Sequence, residues 1–218
     1  MNRRPRWSPP LRSSGEPDGD EGVTLVETLV AMSIFSVVLT IFMAAVLSMT
    51  TSTGRVNATT DAGDGVRAAF LRLDRQVRYA DAINQPVQSS SGSWYVEFRT
   101  SQRADGQPTL CTQWRFDPSA QVLQLRSWAD GQAPASAFQT ITTDVLPPET
   151  AGSSPFVVEK ADADHANQKL TVAVSAGSGS GAYAGRASMQ TSFVARNSSM
   201  SSASNTPGTS VCPQATRP

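Results

Sequence analysis

Hydropathy changes character three times along the chain. From Thr28 to Met49 (TLVAMSIFSVVLTIFMAAVLSM) 22 residues pass without a charge, and apolar side chains fall on every face of a helical wheel. A helix needs about 20 such residues to cross a bilayer core, and apolarity all round is not the pattern of a surface amphipathic helix. From Val66 to Val77 the pattern narrows to one stripe, with Val66, Ala69, Phe70, Leu73 and Val77 at helical spacing. Arg67, Arg75 and Arg78 lie mostly off that stripe, and Asp74 sits four residues before Arg78, a weakly helix-supporting pair. No proline occurs between Pro17 and Pro86, but the polar stretch TTSTGRVNATTDAGDG carries glycines at 54, 63 and 65. Each costs a helix about 1 kcal/mol relative to alanine, so the helix is expected to fray between an apolar half and an amphipathic half.

Beyond residue 85 the period shifts to two. WYVEFRT places Tyr95 and Glu97 on one side and Trp94, Val96 and Phe98 on the other. LCTQWRF and VLQLRSW flank DPSAQ, and Asp-Pro starts turns, so the pair predicts a β-hairpin. ITTDVL, PFVVEKA, KLTVAVSA and SMQTSFVAR are further predicted strands, with SAGSGSGAYAGR a Gly/Ser-rich loop before the last. The segment from 198 to 218 is polar and is expected to be a disordered tail. The expected class is therefore α+β, one long N-terminal helix packed on an antiparallel sheet. The divisions are a leader over 1–22, a membrane helix over 23–50, an amphipathic helix over 51–85, a β-rich domain over 86–197 and the tail.

The first 22 residues are rich in Pro, Gly, Ser and charge, a composition that cannot bury enough apolar surface to fold alone. Arg3, Arg4, Arg6 and Arg12 keep this leader cytoplasmic and send the rest outward, since acidic residues count for little in that bias. A cleaved secretory signal has a shorter apolar run, about 7–15 residues. An uncleaved signal anchor is the other plain alternative, and neither explains why Glu27 stands at the head of the apolar run, where an acid is costly and usually partnered.

The stretch EGVTLVETLVAM resembles the cleavage and methylation motif of type IV prepilins and type II secretion pseudopilins, with Gly22, Val23, Thr24, Leu25, Val26 and Glu27 filling its places in register. The resemblance implies cleavage between Gly22 and Val23 by a prepilin peptidase and N-methylation of Val23. Glu27, then the fifth mature residue, would pair with an N-terminal amine, its own or a neighbouring subunit's, during assembly. The chain departs from the motif in two places: Val23 stands where Phe is usual, and Asp20 and Glu21 stand where many relatives carry Lys or Arg, which bears on processing efficiency. WRFDPSAQVLQLRSW and SFVARN further resemble J-type pseudopilins and W-type minor pilins. The implied partners are the peptidase, other pilin or pseudopilin subunits and the membrane, with an assembly ATPase and a platform membrane protein acting indirectly. The implied place is the inner or cytoplasmic membrane with the N-terminus inside, then an extracytoplasmic filament or the cell surface.

Charge and chemistry add little. Lys and Arg number 18 and Asp and Glu 18, so net charge gives no case for a nucleic-acid surface; the Arg-rich helix face reads as solvated, with a nucleic-acid patch as the alternative. Cys111 and Cys212 match no metal spacing; they form one disulfide if this region lies outside the cell, or are two unrelated thiols. The single histidine, His165, lies in a polar loop beside Asp162 and Asp164, whose spacing fits no calcium motif. No Walker loop, GxSxG or HExxH occurs, so no catalytic residue, metal or cofactor is expected. A structural subunit is the leading reading, against a tip module for DNA uptake or adhesion, a simple membrane-anchored extracellular protein, or a membrane-anchored enzyme.

Overall fold

A computed structural model describes residues 22–104, 106–148, 150 and 152–218. The expected leader lies outside them apart from Gly22. One helix, α1 (Leu25–Val77), precedes ten strands among the described residues: β1 (Ala82–Ile83), β2 (Val87–Gln88), β3 (Trp94–Thr100), β4 (Leu110–Asp117), β5 (Val122–Ala129), β6 (Gln139–Thr142), β7 (Val145–Leu146), β8 (Phe156–Glu159), β9 (Lys169–Ser178) and β10 (Gly185–Val194). Contacts divide the chain into two compact units, one through Leu47 and one from Ser48 on, and α1 runs through both.

The helix does not fray at its glycines. A side chain at Gly65 would start 2.5 Å from Thr142 Oγ1, so this glycine lets β6 come close, while Gly63 faces Ala187 of β10 at an ordinary contact distance of 3.7 Å. Thr53, Thr59 and Thr60 donate their hydroxyls to the carbonyls of Met49, Arg55 and Val56, so these side chains meet their hydrogen-bonding needs within the helix. Packing then outweighs propensity: Ala58, Ala62, Val66, Ala69, Phe70, Leu73 and Val77 are buried. Phe70 meets Phe193 edge-on at 5.8 Å between ring centres, and Trp114 Nε1 donates to Gln76 Oε1 at 2.9 Å.

The strands form two antiparallel sheets. One runs β1-β3-β4-β5-β6 with β2 also on β3; the other runs β10-β9-β7 with β8 also on β9. The predicted hairpin is β4–β5, in unbroken register from Leu110↔Ala129 to Asp117↔Val122. Val96, Phe98, Trp114, Phe116, Leu123 and Leu125 join the α1 stripe and β9 and β10 side chains in one core. The fold is thus α+β and pilin-like, with a long N-terminal helix packed against antiparallel sheets.

The helix expected over 51–85 ends at Val77, and the β-rich part starts before 86, with β1 at Ala82–Ile83. Three further expectations from sequence give way to a different local structure. ITTDVL is not one strand but two, β6 in the first sheet and β7 in the second. Asp144, at φ 58°, turns the chain between them, a backbone region that Asp tolerates better than most residues. The Gly/Ser-rich loop is shorter than expected, because β9 runs to Ser178 and β10 begins at Gly185. Gly185 is required there: a Cβ would start 2.4 Å from the backbone nitrogen of Thr59.

The third change is largest. The segment from 198 onward is not a disordered tail but lies folded against the outer unit. Val211 and Cys212 are buried, and Cys212 is joined to Cys111 of β4, their Cα atoms 5.8 Å apart. This segment covers the face of β3–β5 opposite the helix. There Glu97, Gln113 and Arg126 stand in one cross-strand row and all are buried. Arg126 Nε donates to Gln113 Oε1 and Gln113 Nε2 to Glu97 Oε1, each at 2.8 Å, while Arg217 reaches Glu97 from above at 2.9 Å. The Arg126 guanidinium also lies 4.3 Å from the Phe138 ring centre, and burial pushes its pKa below the usual arginine value.

Candidate processing and assembly site

The site is built on the first turn of α1. Thr24 is its N-cap: the hydroxyl accepts from the Glu27 backbone N–H at 3.2 Å, and the Thr24 carbonyl accepts from Thr28 N at 3.1 Å. Thr24-Leu25-Val26-Glu27 thereby has the spacing of a capping box, which places Glu27 in the third helical position. A carboxylate there sits at the positive end of the helix dipole, a favourable interaction independent of any partner. That local reason for the acid was visible in the Thr-x-x-Glu spacing and was not drawn from the sequence.

Gly22 and Val23 precede the cap. Both are exposed, Val23 at 72%, and among the described residues nothing lies within 4 Å of where a Gly22 side chain would begin. Because Val23 lies outside the helix, the shared-face geometry of helical residues four apart does not join it to Glu27. Among the described residues no cation meets the Glu27 carboxylate.

The apolar span is long and hydrophobic enough to cross a membrane, by length and composition, and none of its most apolar window is buried in the structure. Leu29, Phe35, Val38 and Phe42 are all exposed, a surface that water does not tolerate and that lipid or other apolar helices would cover. Its hydroxyls are turned inward: Ser33 donates to Leu29 O at 2.7 Å, Ser36 to Met32 O and Thr40 to Val37 O, each at 2.8 Å. A lipid-facing helix needs this, since polar groups left unmet in hydrocarbon are costly.

The other candidates lie in the outer unit. Asp130 sits beside Cys111 and Cys212 in a geometry reminiscent of metal ligands, but the two sulfurs are bonded to each other and cannot coordinate. Asp162 Oδ1 accepts from the backbone N–H of His165 at 2.7 Å and of Asp164 at 2.9 Å; the first of these bonds is the main cause holding its carboxyl below the usual range. The three residues form an exposed turn. On the helix and just past its end, Arg67 and Arg78 pair with Asp64 and Asp74, and Arg72 donates to Gln139, which leaves Arg75 as the more open cation. A cavity of about 510 Å³ beside β9 and β10 is lined by Phe116, Val145, Pro148, Ser175, Ser188 and Met189 among others, with no titratable side chain among its described lining.

Residues 19–43 match the prokaryotic N-terminal methylation motif, a span that takes in Gly22, Thr24, Glu27 and the first part of the apolar run. Comparison with curated proteins and with solved structures gave no match. The motif implies processing by a prepilin peptidase, and with the apolar helix it fits a membrane-anchored, extracytoplasmic protein. The chain carries the prepilin-type methylation motif on a pilin-like fold.

Proposed function

We propose that this chain is a minor pilin or pseudopilin, a structural subunit cut between Gly22 and Val23, N-methylated on Val23 and assembled through α1 into a type IV pilus-like or type II secretion filament. The observation that carries the reading is the methylation motif set in register at the head of an exposed apolar helix. Assembly exchanges lipid contacts along that helix for contacts with other apolar helices. Glu27 exchanges a poor environment for an amine. Val23 stands outside the helix, which supports the amine of a neighbouring subunit as the partner.

Two measurements test this. Mass spectrometry of the mature protein should find a methylated Val23 at the N-terminus; a start near residue 50 would return the segment to an ordinary signal peptide. Glu27→Ala should leave cleavage intact and lower incorporation into the filament. An unpartnered acid in lipid costs at most the about 2.5–3.5 kcal/mol of a helix centre; Glu27 lies in the first turn, where the cost is smaller, so losing that drive should reduce incorporation roughly tenfold. Wild-type incorporation by the variant would overturn the role given to Glu27.

A further inference from the structure

The segment over 198–218 is held in two different ways. Residues 198–205 are tied to the second sheet and its loops: Asn205 exchanges hydrogen bonds with both backbone groups of Ala161, at 2.9 and 2.8 Å, and Ser198 Oγ accepts from Gln168 N at 2.7 Å. Residues 206–218 lie on the outer face of the first sheet. Asn84 clamps Val211 through two bonds, at 2.8 and 2.9 Å, Arg126 and Gln113 donate to the Thr216 carbonyl at 2.6 and 3.1 Å, and Arg217 pairs with Glu97. Val211 and Cys212 are the hydrophobic residues this stretch buries fully.

So little apolar burial is a weak hold. Fixing each residue of the stretch costs conformational entropy, and hydrogen bonds exchanged with water return little net stability. What closes the balance is the bond from Cys212 to Cys111 of β4, which pins the middle of the stretch to the sheet, so that with the sheets and 198–205 in place only short segments on either side of it can come free.

We propose that residues 206–218 are a redox-locked strap. When Cys111 and Cys212 are thiols the strap is released, while 198–205 and both sheets stay in place. Oxidation by a disulfide-bearing reagent closes it: the two thiols give up two electrons and two protons, the S–S bond forms, and the oxidant leaves as two thiols. Opening is the reverse, with a dithiol oxidised to its own disulfide. The closed form resists reopening, because both sulfurs are buried, at 0% and 1% exposure, and the Asp130 carboxylate lies 3.4 Å from Cys111 Sγ, where it repels an incoming thiolate. The open form uncovers Tyr95, Glu97, Gln113 and Arg126, a face that in the closed state holds the strap by its backbone carbonyls and by one arginine.

Hydrogen exchange on the full chain in detergent micelles tests the strap. In a Cys111→Ser/Cys212→Ser variant, amides over 206–218 should exchange at least tenfold faster than in the oxidised protein, with β3–β5, β9 and 198–205 unchanged. Wild-type protein reduced and alkylated at both cysteines should give the same map, which guards against a folding defect peculiar to the variant. Unchanged protection over 206–218 in the reduced wild type would mean that the polar contacts suffice. Loss of protection throughout β3–β5 would mean that the bond holds the sheet rather than the strap. Either result overturns the proposal.

Discussion

Replacing Arg217 by Ala should destabilise the outer unit more than replacing Glu97 by Gln, although both remove the same ion pair. The asymmetry comes from burial: the Glu97 side chain is fully buried, whereas the Arg217 side chain is 33% exposed. Without Arg217, Glu97 keeps Gln113 Nε2 at 2.8 Å and a long contact to Asn84 at 3.4 Å, but loses its one hydrogen-bonded cation, Arg126 acting on it only across Gln113. Breaking a buried pair from one side costs about 3–5 kcal/mol; the partial exposure of Arg217 places this case near 3 kcal/mol. Glu97→Gln leaves a neutral amide in the row and lets Arg217 turn to water, a loss of about 1–2 kcal/mol. The double variant buries no charge, so it should be no less stable than Arg217→Ala alone, a coupling of about 1–2 kcal/mol. For a unit of this size each kcal/mol moves the melting temperature by about 2–4 °C, so Arg217→Ala should melt roughly 6–12 °C lower. The assay is thermal unfolding of the oxidised chain in micelles, followed by fluorescence of Trp94, Trp114 and Trp128. Equal losses in the two single variants, or strictly additive losses in the double, would show that Glu97 is hydrated and the reasoning wrong.

Gly185→Ala forces a methyl group against the backbone of Thr59; overpacking of this kind costs about 1–3 kcal/mol, and a melting temperature within error of wild type would refute the close approach. Thr24→Ala removes the cap on the Glu27 N–H and should cost the start of α1 about 1 kcal/mol, seen as faster amide exchange over residues 25–28 with the rest of the helix unchanged.

The parts of the fold that were legible are those in which one face meets the core. The stripe from Val66 to Val77 and the alternation Trp94, Val96, Phe98 each point at the same core, and each appears in the structure as expected. What escaped depended on neighbours distant in sequence. Glycine propensity argued for a break in α1, but Gly63 and Gly65 lie where β10 and β6 come near, and that packing has no local signature. The sheet change at Asp144 hides in ITTDVL for a similar reason: six β-compatible residues read as one strand unless the single positive φ is known.

The strap was the least legible element, and composition explains why. TPGTSVCPQATRP has no periodic apolar face, so by itself it gives no reason to fold. Its order is borrowed from the sheet it covers. The polar side of WYVEFRT and LCTQWRF has the alternation of an ordinary solvent face, with Tyr95, Glu97 and Gln113 between the core residues. A row of acid, amide and arginine across three strands is indistinguishable from a wet surface until something lies over it. The same holds at the other end of the chain. Thr24 and Glu27 were placed by a motif that concerns processing, yet their spacing also caps a helix, and the structure shows the cap without the processing partners. The acid at the head of the apolar run therefore has two physical reasons to be there. One, the helix start, acts in the single chain; the other, an amine from a neighbour, acts only on assembly. Glu27→Gln separates them. An amide can keep the capping-box geometry but cannot neutralise an amine, so a variant that keeps its first helical turn and loses incorporation would assign the carboxylate's charge to assembly alone.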